Sequence, residues 1–470
     1  MSELPAQFLT RMQQLLGEEY QSFLESLFST PITGLRVNTL KITTEAFGKL
    51  ASFQLQPVPW CQAGYIAQES QRPGKHPYHA AGLYYLQEPS AMAVAEALDP
   101  QPGERVLDLA AAPGGKTTHI AALMKGEGVI VANEVHPRRV WELAQNLERW
   151  GARNVIIINE SPQRLVGIFP DAFDRVLLDA PCSGEGMFRR SKTARSEWSP
   201  SLVASSARRQ RIILDEAARM VRPGGGLLYT TCTFAPEENE GVIAHFLDQH
   251  PDFHLVEIPL DHGFRAGRPN WVEEKVSKPE LRYTARLWPN HLNGEGHYIA
   301  KLKREYSEET KEMRRLPFRL TKLPDHIKHY YQEFWRKHMV VEMDQGHLHL
   351  QGSYLYQIPP EAPDLSGLKV IHPGWWLGTI KEKRFEPTHA LALGIRADDA
   401  RSRHDIKAHA DDLSLSEQLI AYMMGTNQPN SGEDGWVLVT VDGFPLGWGK
   451  RTKDVLKSHY PGGLRWMAAP

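Results

Sequence analysis

The sequence predicts an α/β chain: a mostly parallel, Rossmann-like sheet with helices on both faces, led by a smaller α/β unit and trailed by β-rich ones. Three observations carry this. From about residue 100 to 305, short apolar runs alternate with helical segments, as expected of strands buried on both faces of a parallel sheet. The block GWVLVTVDGFPLGWGKR (435–451) holds two apolar runs around Asp442-Gly443, a hairpin signal. A length of 470 residues exceeds one ordinary domain.

In chain order, residues 1–28 space Phe8, Met12, Leu15, Leu16, Phe23, Leu24 and Leu27 as on helices, and GLRVNTLK (34–41) follows as a strand with Arg36 and Asn38 on one face. Both are candidates to line a nucleic-acid cleft. SQRPGKHPYH (70–79) is a loop, in which His76 and His79 have no second metal-spaced cluster beside them. A helix opens near Pro89-Ser90. RVLDLAA (105–111), GVIVANE (128–134), NVIIIN (154–159), DRVLLDA (174–180) and GLLYTTC (226–232) read as strands. Helices are expected over Thr117–Met124, Arg138–Trp150, Ser201–Val221 and Glu237–Gln249, and GHYIAKLKR (296–304) as a closing antiparallel strand. The expected division is 1–94, 95–305, 306–384 and 385–470, with Trp375, Trp376 and Trp448 in the cores of the last two units.

Composition narrows the class. The chain is 41% hydrophobic and 23% charged, as in soluble globular proteins. No apolar run has the roughly 18–20 residues of a membrane span, and the N-terminus lacks a basic run followed by an apolar one, so no membrane partner and a cytoplasmic location are expected. Three cysteines form neither a disulfide framework nor a C-x₂-C zinc pair. No metal is expected, and Cys61, with no motif around it, is expected to be structural. The net charge is −2, yet residues 186–222 hold nine basic against three acidic residues. Residues 301–337 hold eleven against six, with Tyr330, Tyr331, Phe334 and Trp335 interleaved. Such segments are either polyanion surfaces or solvated helix faces.

DLAAAPGGKTTHI (108–120) follows a strand and opens a helix. Small residues and Gly114-Gly115 let a ligand approach the backbone at a helix N-terminus. The first glycine of a phosphate loop is missing. Glu134, 26 residues after Asp108, ends the next strand, where a carboxylate can accept both ribose hydroxyls. An adenosine ligand held without a phosphate clamp points to S-adenosylmethionine. Two of the three cysteines, Cys182 in DAPCSGEG and Cys232 in TTCTF, lie at the carboxyl ends of strands. A thiolate adding to carbon 6 of a cytosine makes carbon 5 nucleophilic toward a sulfonium methyl, and a second thiol can assist release. Asp179, just before the Pro-Cys loop, can polarise the ring near N3. The base would be extruded into such a pocket.

On DLAAAPGGKTT, DAPCSGEGMFR, ARRQRIILDEAARMVRPGG and YTTCTFAPEENE, extended by LRVNTLK and YYLQEPSAM, the sequence resembles the Nol1/Nop2/Sun family of RNA cytosine-5 methyltransferases, and most its bacterial RsmF type. GWVLVTVDGFPLGWGK and LKSHYPGGLRW resemble that type's PUA-like module. The resemblance implies a class I methyltransferase core between an N-terminal RNA-binding domain and a C-terminal PUA-like RNA-binding domain. It implies S-adenosyl-L-methionine as cofactor and RNA as partner: ribosomal RNA of the small subunit, naked or in the assembled 30S particle, met by a monomer. By role, it makes Cys232 the nucleophile, Cys182 the residue of product release and Asp179 the polarising acid. It maps the cofactor loop onto Ala110, Ala111, Ala112, Pro113, Gly114, Gly115 and Lys116, and the ribose acid onto Glu134. Asp179 also borders the cofactor. Lys116 either touches the cofactor carboxylate or simply begins a helix. Where the family has an aspartate near the adenine, this chain has Ser161, whose hydroxyl can still hydrogen-bond there, or Glu160 can swing in. The rivals are a transfer RNA or multi-RNA substrate, a non-catalytic ribosome-assembly factor, and an amino-group methyltransferase. The last typically carries Asp/Asn-Pro-Pro-Tyr where this chain has Asp-Ala-Pro-Cys.

Overall fold

The computed structural model describes residues 4–306, 317–342, 346–409 and 414–467. Part of the basic run at 301–337 lies outside them. Four sheets follow one another. Strands β1 (Thr33–Val37), β2 (Leu55–Val58), β3 (Cys61–Ala67) and β4 (Tyr84–Leu86) form an antiparallel sheet in the order β2-β3-β1-β4. Then β5 (Arg105–Asp108), β6 (Val129–Asn133), β7 (Val155–Ile158), β8 (Phe173–Asp179) and β9 (Val221–Thr231) run parallel in the order β7-β6-β5-β8-β9. Beyond β9 the sheet continues antiparallel through β13 (His297–Arg304), which also pairs with β10 (Phe253–Val256) and β12 (Ala285–Leu287). The short β11 (Arg265–Ala266) forms that edge. The expected Rossmann-like core is present, down to the antiparallel closing strand.

The parallel strands are apolar throughout because both faces are covered: one core holds Leu107, Val131, Ile156 and Val176, the other Val106, Ile130, Ile157 and Leu177. These alternate residues along each strand point to opposite faces. Strand β5 has β6 on one side and β8 on the other, so the order reverses there and a crevice opens beyond its carboxyl end.

A third sheet comprises β14 (Leu348–Gln351), β15 (Tyr354–Gln357), β17 (Trp375–Lys381) and β18 (Arg384–Pro387), while β16 (Val370–His372) leaves it to pair with β7. Strand β18 runs across the expected break at 384/385. The last sheet, of β19 (Arg403–Ile406), β20 (Gln428–Pro429), β21 (Gly435–Val441), β22 (Phe444–Thr452) and β23 (Val455–Ser458), has the order β19-β21-β22-β23-β20. Its hairpin β21–β22 turns at Asp442-Gly443, both at positive φ, as the motif requires. Trp375 and Trp448 are buried as expected and Trp376 is partly so. The first and last sheets share one core, in which Leu35, Val37 and Tyr84 meet Tyr422, Val437 and Val439.

One expectation fails, and one alternative left open is decided. Arg36 and Asn38 line no cleft: both are wholly buried. Arg36 donates to Gln87 Oε1 (2.9 Å), Gly115 O (3.1 Å) and Thr118 Oγ1 (2.7 Å) and lies over Trp150, while Asn38 Nδ2 donates to Gly82 O and Trp150 O. Polar residues on a strand can face a neighbouring helix as readily as a ligand. Likewise Tyr331, Phe334 and Trp335 are no stacking platform. They are the apolar face of the helix Asp325–His338, packed against Phe385 and Trp448.

Replacing Arg36 by alanine unpairs several buried groups, and a stability loss of about 3 kcal/mol is expected in urea unfolding.

Candidate active site

Every loop of interest leaves the carboxyl edge of the central sheet. After β5, residues 109–114 enter the helix Gly115–Leu123, whose N-cap Gly114 has φ +110°, a conformation that only glycine adopts without strain. The helix Arg139–Trp150 braces this loop: Arg139 Nη2 donates to Ala112 O and Asn146 Nδ2 to Pro113 O, each at 2.7 Å. Glu134, after β6, is 3% exposed and accepts the His136 amide (2.8 Å). Asn133 and Asn159, each the polar end of an apolar run, lace these turns together. Asn133 Nδ2 reaches Leu109 O and Glu160 O; Asn159 Nδ2 reaches Glu134 O. Sequence reasoning assigned neither residue, though an amide ending an apolar strand was the available signal.

Ser161 caps the helix Pro162–Val166, accepting the Arg164 amide, and Glu160 Oε1 accepts the Lys369 amide (2.7 Å). Both side chains therefore have structural partners at the β7 end.

Lys116 does more than begin a helix. Its Nζ lies 2.7 Å from Asp179 Oδ2, joining the β5 loop to the end of β8 across the switch point. Burial opposes the ammonium charge, but Asp179, with a contribution from the Cys232 sulfur, lifts it above the ordinary lysine value. Beside it, burial pushes Asp108 up to about 7 despite the bond from Thr117 Oγ1 (2.7 Å), and Asp108 Oδ1 has no hydrogen-bond partner. A buried, half-satisfied carboxyl next to a glycine cradle is what a cationic or donor-bearing ligand would complete.

The two thiols meet: Cys182 Sγ and Cys232 Sγ are 3.4 Å apart, and both cysteines are free. The hydrogen bond to Cys232, reinforced by burial, raises the Cys182 thiol well above its ordinary value. Their loops are pinned by Glu238, whose carboxylate accepts Ser183 N (2.9 Å), Ser183 Oγ and Gln210 Nε2 (2.8 Å). Gln210 Nε2 also bonds Pro181 O, and Gly186 N donates to Cys232 O. Behind them a buried Arg286–Glu240 pair holds Phe234 O through Arg286 Nη1. Glu238, Gln210 and Arg286 carried no role in the sequence reading. Of the basic run at 186–222, Arg189 and Arg190 are spent on Glu295, while Arg208 and Arg209 stay exposed.

Residues 95–303 match the family model of the 16S rRNA methyltransferase RsmB/F. Residues 4–89, 333–395 and 413–466 match the N-terminal, first C-terminal and PUA domains of the RsmF methyltransferase. A ribosomal RNA small subunit methyltransferase F of Aliivibrio salmonicida is 31% identical over 97% of both chains, and one of an Enterobacter strain is 32% identical over 97% of this chain and 95% of the other. The chain belongs to the RsmF family of 16S rRNA methyltransferases. Among solved structures, a methyltransferase homologue of Pyrococcus horikoshii is 34% identical, with TM-score 0.55, over 63% of this chain and 94% of that one. NSun6 of the same organism, solved with SFG, shares the fold at TM-score 0.54 and 22% identity, over 64% and 99%. As an RsmF family member the chain is a methyltransferase acting on ribosomal RNA. No helix among the described residues is long and apolar enough to cross a membrane.

Two outcomes are expected. Because the folded state raises Asp108, it holds a proton that the unfolded chain has already released between about pH 4 and 7, so this group's stabilisation is present at low pH and lost as pH climbs toward 7. Thermal unfolding of Asp108→Asn should therefore improve relative to the parent from pH 5 to pH 8. Glu238→Ala frees both cysteine loops and should cut kcat about 100-fold with cofactor affinity, read by calorimetry, nearly unchanged.

Proposed function

We propose that this RsmF-type enzyme moves a methyl group from S-adenosyl-L-methionine to carbon 5 of a cytosine in small-subunit ribosomal RNA through a covalent Cys232 adduct. The observation that carries this is the pair of free thiols 3.4 Å apart at the ends of β8 and β9, beside Lys116 and Asp179. The adenosyl ligand fits the residues at the switch point: the loop Ala110–Lys116, the buried acid Glu134, and the unpaired Asp108 oxygen. When bound, it supplies an electrophilic methyl on sulfur.

The chain's own groups account for the remaining steps. Cys232 sulfur bonds to carbon 6 of the extruded ring, and the electron pair moves to carbon 5, which takes the methyl. Lys116, held charged by Asp179, lies near enough to the Cys232 sulfur to act on it electrostatically. Asp179 turns to the ring near N3 when the base enters, exchanging part of its bond to Lys116. Solvent water takes the carbon 5 proton, the pair from that C–H bond restores the double bond between carbons 5 and 6, and Cys232 sulfur leaves carbon 6 with its bonding pair as a thiolate. Cys182, its thiol raised well above the ordinary value by its bond to Cys232 and by burial, stands 3.4 Å from that sulfur, where it can assist the release. The flanking segments 1–94, 306–384 and 385–470 are proposed to position the RNA. The adenine contact of Ser161 belongs to the same proposal, with its hydroxyl leaving the Arg164 amide.

Incubation of ribosomal RNA and of 30S particles with labelled cofactor should yield 5-methylcytidine. Cys232→Ala should abolish turnover, whereas Cys182→Ala should accumulate an RNA adduct that survives a denaturing gel. Turnover by Cys232→Ala would refute the mechanism.

A further inference from the structure

One reactive cluster takes no part in that chemistry. Cys61, the first residue of β3, meets Glu96 on the helix Pro89–Leu98 and His119 on the helix Gly115–Leu123, one ligand atom of each lying within 4.8 Å of the others. His119 Nε2 is 3.8 Å from Cys61 Sγ and 3.2 Å from Glu96 Oε1. Cys61 and His119 are buried, and the Glu96 side chain keeps a third of its surface.

We propose that Cys61, Glu96 and His119 bind one divalent transition-metal ion of the zinc class, tying the N-terminal sheet to the helix that carries Lys116. The geometry supports it. Sulfur, nitrogen and oxygen at bonds of about 2.0–2.3 Å around a tetrahedral ion sit roughly 3.2–3.7 Å apart, and the two measured edges fall within a few tenths of an ångström of that range. The donors also select the metal: thiolate with imidazole suits zinc or cobalt, whereas magnesium and calcium take oxygen ligands. Each donor comes from a different element, so the point is set by the tertiary packing of three segments. The fourth position would face Glu96, the half-open side.

Charge is compatible with this. Arg36 lies near enough to act on both Cys61 and Glu96. A dication with one thiolate and one carboxylate is neutral; binding therefore removes the single negative charge of Glu96 from beside the guanidinium, but leaves no net positive charge there. On binding, the sulfur–metal bond forms and the Cys61 proton passes to solvent. His119 Nδ1 has no hydrogen-bond partner, so the outer carboxylate or carbonyl that strengthens many zinc sites is missing. The ion should therefore exchange more readily than one held by four protein ligands.

The test uses the full-length chain carrying Cys182→Ser and Cys232→Ser, which leaves Cys61 as its only thiol. The protein is stripped with chelator and titrated with cobalt(II) alone, then with zinc(II) alone. One equivalent of cobalt with a thiolate-to-metal charge-transfer band, displaced by zinc, is expected, along with a thermal midpoint higher by about 3 °C. Adding Cys61→Ser should remove the band, and adding Glu96→Gln should weaken cobalt binding about 10-fold while keeping it. No band at stoichiometric cobalt, or a band that persists without Cys61, overturns the site. Should the Cys61 variant not fold, unchanged affinity in the partly exposed Glu96→Gln variant overturns it equally.

Discussion

The active site depends on one buried carboxylate. Glu238 accepts the amide and hydroxyl of Ser183 and the amide of Gln210, so the loop carrying Cys182 is moored to the loop that follows Cys232. Loops leaving adjacent parallel strands have no backbone ladder to hold them together past the last strand residue. Side chains must do it, and they must do it away from water, where a hydrogen bond to a carboxylate is strongest. The cost is a carboxyl group buried in a place that resists its charge, and burial duly pushes Glu238 up to about 7. The return is two sulfur atoms fixed at 3.4 Å.

Around that point the protein keeps spending polar side chains on position. Asn133 and Asn159 lace the ends of β5, β6 and β7; Lys116 and Asp179 cross from the β5 loop to β8; Arg286 and Glu240 back the β9 loop. The N-terminal helices add the apolar half of the same task. Phe23 meets Phe234, two residues after Cys232, and Phe234 stacks on Trp288. The first unit is thus part of the wall behind Cys232. Its sheet also shares a core with the last sheet, so the first and last units pack against each other.

Much of this was legible in the residues. The apolar runs at 105–111, 128–134, 154–159, 174–180 and 226–232 located the parallel strands, with most ends within one residue; β5 stops at Asp108, three residues before the predicted end, and β9 begins at Val221, five residues before the predicted start. Those runs are buried on both faces, a state that tolerates only apolar side chains. The glycine pair, the Pro-Cys and Thr-Cys loops and the Asp442-Gly443 turn were legible because each needs a particular backbone or a particular atom. Arg36 and Asn38 were misplaced, and the role of Tyr331, Phe334 and Trp335 was left open, for the opposite reason. A cation or an aromatic ring has the same appearance in sequence whether it faces RNA or a packed helix.

The sequence by itself determined the order of strands and helices, the small-residue loop, and the presence of two thiols each one strand-end from a turn. Those are local properties, set by apolar periodicity and by the conformations that glycine and proline impose. Only the tertiary structure decided that Lys116 reaches Asp179, that Glu238 and Gln210 bind the Cys182 loop, that β16 completes the edge of the catalytic sheet, and that Cys61 faces His119. Each of these joins residues far apart in the chain. Their distance is fixed by the packing of whole elements, and no periodicity within a single segment records it.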